Sequence, residues 1–358
     1  MTEELKNALK VASIYMTTIV GAGFASGREI VQFFSAYYTG GFYGIIFAGF
    51  LFSVIGYLVL DKVHRERIRN YDEFIFPALG WFMGWVMETA ATLFMISLFS
   101  VMIAGSGNII SEKLSIPFRY AVVMSALLCM FFILTDIKGI VALSSMIAPF
   151  LIVGIVAVGF YILAFKDAAV FDFLGCFQSL TSNWFFSSLL YVGYNSILSV
   201  IIMCDLLPYL KTRRTGIIGG VLGGAMLCFV AFILNSAIFL FYPESLADEL
   251  PVLGIVERYS GLLSGLYTFI LWLAMFLSAV TSGYCFVNRV SSKLKVNSRL
   301  LTVTACAFVI PMSGFGFSNL IAAIYPIFGY VGLFMVFVIL LQGIRPMPGR
   351  LLGRKSCK

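Results

Sequence analysis

Val20-Gly21-Ala22-Gly23-Phe24-Ala25-Ser26-Gly27-Arg28-Glu29 lies well inside an apolar run that extends from about residue 9 to residue 38. A second glycine-interrupted stretch, Tyr191-Val192-Gly193-Tyr194-Asn195-Ser196, lies inside another such run, 178–207. Reading outward from these two, apolar runs between charged or turn-rich breaks recur near 42–60, 78–110, 119–135, 139–165, 216–242, 256–289, 300–313 and 317–343. Most are long enough to cross a hydrocarbon core of about 30 Å. Gly40-Gly41, Pro208, Pro243 and Pro251 supply breaker chemistry at four of the junctions.

Composition agrees. The chain is 61% hydrophobic and 11% charged, with mean hydropathy +1.00, well beyond the roughly 45–50% apolar content of soluble domains. The expectation is an all-α integral membrane protein of ten transmembrane helices forming one domain. No short apolar core with a small-residue cleavage site marks a signal peptide. The seven cysteines form no CxxC or disulfide framework.

The formal charge of +7 raises the question of nucleic acid. Its distribution answers it. Of the 24 Lys and Arg, Lys113, Arg119, Lys166 and Arg258 fall on one side of the spans and Arg28 falls within one; the others lie in the termini and alternate loops of the opposite side. By the positive-inside rule that basic side is cytoplasmic, so both termini are cytoplasmic and the plasma membrane is the expected location. The acidic loop Pro243-Glu244-Ser245-Leu246-Ala247-Asp248-Glu249 falls outside, and 344–358 is a basic cytoplasmic tail. The expected partners are the lipid bilayer and a small solute, with no nucleic acid.

Divided near Phe171, the chain repeats a plan: long, short, long, then two more spans in each half. Five helices per half make the halves, about 9–165 and 178–343, a 5+5 inverted-topology repeat. The first and sixth spans then correspond, and both are predicted to break at mid-membrane. Paired interrupted helices point to a transporter's binding site, because a broken helix frees backbone N–H and C=O groups to hold solute and ions. Gly23 and Gly27 also fit a small-xxx-small packing surface, but the charged pair Arg28-Glu29 after them favours a protein interior or a water-filled cavity.

The five-plus-five plan resembles the LeuT-type fold of the amino acid–polyamine–organocation (APC) superfamily. More narrowly, Gly21 to Glu29 near the N-terminus is similar to the YkvI family of bacterial membrane proteins, and the resemblance spans the chain. It implies a sodium site of the kind found in sodium-coupled LeuT-type relatives, where first-helix carbonyls meet a small-x-x-Thr/Ser-Ser stretch on the eighth helix. Here that stretch is Ser278-Ala279-Val280-Thr281-Ser282. The implied ligands are the Thr281 and Ser282 side chains and the carbonyls of Ser278, Thr17 and Val20. At about 1.5 Å per residue, Val20 lies roughly 16 Å from the inner end of its span and Ser282 about 10–13 Å, so the two can share a layer. The alternative is that both hydroxyls bond back to their own helix. Phe24 stands where relatives with a second sodium site carry Asn, and the fifth span lacks the mid-helix Lys of proton-coupled relatives, which leans toward sodium.

Solute contacts are expected from Gly21, Ala22, Gly23, Phe24, Ala25 and Ser26, from Tyr191, Gly193, Tyr194 and Asn195, and from Thr89 and Thr92 on the third span. The positive end of a broken helix suits a carboxylate, hence an amino-acid-like zwitterion. Arg28, Glu29 and Glu88 are candidate coupling or gating groups. Glu88 lies about 12 Å into its span, where a carboxyl either functions or reaches an inner vestibule near Trp81 and Trp85. Arg28 resembles an outer gate, with Glu29 as a local partner. His64 lies in a charged loop, which argues against a His-based metal site. HExxH, GxSxG and paired catalytic carboxylates are absent, so no enzyme is expected. Two functions stand: a sodium-coupled symporter working by alternating access, and a transporter-like nutrient receptor, germination-receptor-like, that binds without flux.

Overall fold

The computed structural model describes residues 3–134, 136–165, 183–241 and 250–344. The acidic loop 243–249, Cys176 and the basic tail after residue 344 lie outside the described residues, as does the side chain of Ala22. The elements are α1 Glu3–Ile19, α2 Ala22–Ala25, α3 Arg28–Phe33, α4 Thr39–Glu66, α5 Tyr71–Leu114, α6 Phe118–Ile133, α7 Asp136–Phe165, α8 Trp184–Asp205, α9 Arg213–Phe239, α10 Pro251–Glu257, α11 Gly261–Leu294, α12 Ser298–Ser313 and α13 Phe317–Ile344.

Within the described residues, each predicted span falls mainly on helix. Six of the described helices are long and apolar enough to cross a membrane: α4, α5, α8, α9, α11 and the Asn319–Gln342 part of α13. Large apolar side chains such as Phe50, Phe131, Phe150 and Phe337 are 58–66% exposed on the outer surface. Water penalises so much outward apolar area, and lipid does not, so this is an all-helical, multi-pass membrane protein.

Starts are capped where the sequence provides the oxygen. Asn70 accepts from Glu73 N at 3.0 Å, Thr212 from Thr215 N at 3.2 Å and Asn297 from Arg299 N at 2.9 Å, each satisfying a first-turn N–H that the helix leaves open. Two boundaries differ from expectation. Gly80 (φ 77°) kinks α5, so the third span begins after it. Pro251 opens a helix, α10, instead of ending one, since its missing N–H costs nothing in a first turn; α11 then starts after its own cap, Ser260.

The most extensive packing joins α4 to α9, α8 to α13, α5 to α11 and α1 to α9. In the α4–α9 seam the backbones touch. A Cβ on Gly56 would lie 2.8 Å from Gly220 O, and one on Gly224 would meet the Ser53 backbone.

The predicted break in the sixth span is overturned. α8 runs without interruption from Trp184 to Asp205. Gly193 makes room for a neighbour: a Cβ there would overlap Gly329 O and approach Leu333 N, and one on Gly332 would overlap the Gly193 carbonyl. The residue is a contact between α8 and α13, the small-residue packing that membrane helices favour. Gly332→Leu is therefore expected to lower the melting temperature markedly, overpacking costing about 1–3 kcal/mol or more. An unchanged melting curve would show that the contact contributes little to stability.

Candidate functional site

The first span is interrupted twice. α1 ends at Ile19, α2 occupies only Ala22–Ala25, and α3 restarts after Gly27, which is left-handed at φ 83°. Gly21 N–H turns back to Ile19 O at 2.8 Å instead of reaching Thr17 O. Among the described residues no main-chain N–H reaches the carbonyl of Thr17 or of Val20.

The carbonyls on the C-terminal side of the break are taken up by protein. Tyr267 OH on α11 donates to Ala25 O at 2.5 Å, and Val252 N on α10 donates to Ser26 O at 3.0 Å. Ser26 Oγ donates to Gly23 O at 3.1 Å. Toward the N-terminal side of the break, the carbonyls of Thr17 and Val20 are among those left open.

Opposite that side stands α11. A Cβ on Gly21 would lie 3.1 Å from Ser278 Oγ and 3.6 Å from Met102 Cε, so glycine lets the break close onto Ser278. Ser278 Oγ is buried and, among the described residues, has no hydrogen-bond partner. Thr281 and Ser282 are also buried. Ser282 Oγ donates to Ser278 O at 2.7 Å and Ala279 O at 3.2 Å. Thr17 Oγ1 donates to Ser13 O at 2.8 Å and Ile14 O at 3.2 Å. The hydroxyl hydrogens of Ser282 and Thr17 are thus spent on their own helices, which leaves each oxygen with lone-pair capacity to accept or to ligate. The expected Ser278 carbonyl already accepts from Ser282, and it is the Ser278 hydroxyl that lacks a partner.

Above this layer lies an aromatic cluster. Tyr194 OH donates to Glu29 Oε2 at 2.6 Å. Tyr194 stacks on Tyr325 with ring centroids 4.6 Å apart. Phe33 lies 5.6 Å from Tyr191 and 5.5 Å from Tyr194, and Phe24 is fully buried. Asn195 Nδ2 bonds back to Tyr191 O at 3.1 Å. Glu29 is therefore tied to Tyr194 of α8, and the expected local pairing with Arg28 gives way to this contact. Gly23 makes it possible: a Cβ there would lie 2.7 Å from Glu29 Cγ and 2.8 Å from Cδ.

Two expected solute contacts fall elsewhere. Thr89 is exposed and bonds to Trp85 O at 2.9 Å, and Thr92, half-buried, bonds to Glu88 O at 2.8 Å. The buried face of α5 runs through Gly84, Met87, Glu88, Ala91 and Met95; a residue at 89 is turned about 100° from 88 and leaves that face.

Glu88 has partners that the sequence reading missed. Arg289 Nε donates to Glu88 Oε1 at 2.5 Å and Nη2 to Oε2, while Lys293 Nζ approaches Oε1 at 2.6 Å. Asp72 meets Arg289 at 3.2 Å and Lys293 at 3.5 Å. Arg289 also lies over the Tyr71 ring at 4.4 Å and Lys293 over Trp85 at 4.5 Å. The signal was available: Arg289 and Lys293 are four residues apart and share one helix face. Among the described residues no group of three His, Cys, Asp or Glu could hold a metal.

No protein-family model matches the chain. It is 26% identical over 345 residues to the uncharacterized membrane protein YkvI of Bacillus subtilis (strain 168), a match covering 93% of this chain and 95% of that protein. Among solved structures, MhsT in complex with L-phenylalanine is similar with a TM-score of 0.66 at 15% identity, covering 93% of this chain and 88% of that one. A manganese transporter of Eremococcus coleocola gives 0.65 at 14% identity (95% and 79% covered). A Na+-coupled sialic acid symporter in its substrate-bound outward-open state gives 0.57 at 14% (95% and 86%). The sequence is YkvI-like and the fold is of the LeuT type, as the resemblance implied.

Proposed function

From a YkvI-like sequence on a LeuT-type fold, we propose that the protein is a secondary active transporter, not an enzyme, that couples sodium to the movement of a small amino-acid-like zwitterion by alternating access. The reading takes all ten spans as crossing the plasma membrane, with both termini cytoplasmic and the two halves as inverted repeats. The packing of α4 against α9 and of α5 against α11 supports it, since these are the second and third spans of each half.

One observation carries the proposal. At the break in the first span, two open carbonyls, Thr17 and Val20, lie near a glycine that closes onto the partnerless hydroxyl of Ser278. Oxygen donors of this kind, with the Thr281 and Ser282 hydroxyls, suit a hard monovalent cation. The Na+-coupled sialic acid symporter and MhsT with its bound L-phenylalanine point the same way. The manganese transporter would suggest metal cargo, but Glu29 is a single carboxylate beside the break, and among the described residues no group of three His, Cys, Asp or Glu could hold a metal.

The test is uptake of a radiolabelled amino-acid mixture into proteoliposomes, with and without an inward sodium gradient. Wild type is expected to show sodium-driven uptake. Thr281→Ala/Ser282→Ala is expected to lose at least about tenfold, as contacts to a charged group contribute about 1.5–3 kcal/mol each. Binding without flux in any gradient would move the protein to the receptor reading.

A further inference from the structure

Glu29 has the burial of a paired charge without the pair. Its residue is 2% exposed, two positions beyond the left-handed Gly27. Its carboxylate accepts from the Tyr194 hydroxyl at 2.6 Å, and Tyr325 stands beside it. Among the described residues no Lys, Arg or His forms an ion pair with it, whereas the equally buried Glu88 has two. A carboxylate taken out of water in a membrane span is costly unless a cation meets it. The Tyr194 phenol supplies a hydrogen bond, but no positive charge.

The surroundings select the cation. One helical turn after Glu29, the Phe33 ring touches Tyr191 and Tyr194, and Tyr194 stacks on Tyr325. Tyr191 OH is buried and has no partner among the described residues. A carboxylate with phenol oxygens and four aromatic rings around it matches an organic ammonium: N–H donors for the oxygens and a diffuse positive charge for the ring faces. A bare sodium ion would want an all-oxygen shell, which lies at the other end of the break. The helical pieces following the break, α2 of four residues and α3 of six, are too short to present a macrodipole to an anion, so the cationic end of the solute is the one with built recognition.

We propose that Glu29, together with the hydroxyls of Tyr191, Tyr194 and Tyr325 and the ring of Phe33, receives the ammonium group of the solute. Gly23 is the residue that lets the carboxylate occupy this position. The Tyr194 hydrogen bond is then a placeholder: when the ammonium enters, Glu29 exchanges a phenol for a full positive charge. The inference rests on reading the break as the solute site, yet it requires binding only and not transport.

The experiment is a binding screen on the purified full-length protein in nanodiscs. The probes are the twenty amino acids, the amine left by decarboxylating each, and the carboxylic acid left by deaminating each. At least one amino acid is expected to bind, its amine to retain binding, and its deaminated acid to bind at least about tenfold more weakly, about 1.4 kcal/mol. Glu29→Gln is expected to weaken the amine by a similar factor while leaving the weak binding of the deaminated acid unchanged. Tyr191→Phe removes an oxygen with no partner, so it folds even where Glu29→Gln does not, and it too is expected to weaken the amine. The proposal is overturned if no ammonium probe binds wild type, if a deaminated acid binds as tightly as its amine, or if the amine affinity is unchanged in Tyr191→Phe and in any folded Glu29→Gln. Amine binding without sodium-driven uptake would defeat the transport reading and leave this one standing. Sodium-driven uptake of a compound that lacks an ammonium group would do the reverse.

Discussion

Glu88→Ala is expected to cost about 3–5 kcal/mol of stability, the penalty for stranding buried cations by removing their partner. Two cations are stranded here. The Arg289 side chain is 9% exposed and the Lys293 side chain 20%, and Asp72, 43% exposed at its side chain, is too solvated to replace a carboxylate that is 2% exposed. The measurement is thermal melting of purified protein, followed by tryptophan fluorescence or loss of monodispersity. Removing all three charges together, Glu88→Leu/Arg289→Leu/Lys293→Leu, is expected to recover most of the loss, because a buried ion cluster and a packed apolar one are often close in energy. A single variant that melts with wild type would show that the cluster is solvated and contributes little.

The second large effect is on the site itself. Gly23→Val is expected to abolish solute binding and uptake while the protein still inserts and purifies. The new side chain takes the space of the Glu29 carboxyl, whose Cγ and Cδ lie 2.7 and 2.8 Å from the ideal Cβ position. A glutamate is flexible and can swing aside, so the fold survives; the hydrogen bond to Tyr194 does not. Gly27→Ala makes the contrast. There the backbone is left-handed at φ 83°, and a Cβ would press on Val252 and Ile238, so about 1–2 kcal/mol of strain adds to a packing clash and the loss falls on stability as well. Melting and uptake measured side by side separate the two variants. Uptake by Gly23→Val close to wild type would mean that the position of Glu29 does not matter.

The break in the first span was legible because its cause is local: glycines at 21, 23 and 27 and a charged pair directly after them mark a helix that stops. The sixth span was misread for the converse reason. Gly193 answers to Gly329 and Gly332, well over a hundred residues away, and no local rule distinguishes a glycine that breaks a helix from one that admits a neighbouring backbone. Thr89 and Thr92 are hydroxyls on the third span, yet the inward face of α5 is set by what packs on it, and Thr89 lies off that face. The partners of Glu88 were hidden by the bookkeeping of loops: Arg289 and Lys293 had been counted as cytoplasmic boundary charges, although both extend from α11 and reach back to the buried carboxylate. Glu29 was singled out for its place beside Arg28, and its real partner, Tyr194, required the third dimension.

Gly56 and Gly220, with Gly49, Gly224 and Ser53 along the same line, give the seam between α4 and α9 a mechanical character. Side chains that interlock can shift by changing rotamer, as gear teeth with play do. Two main chains in direct contact have no such slack, and sliding one past the other would drive carbonyls into Cα atoms. These helices therefore form a single stiff beam, in contrast to the first span, whose ladder is interrupted on either side of the four-residue α2.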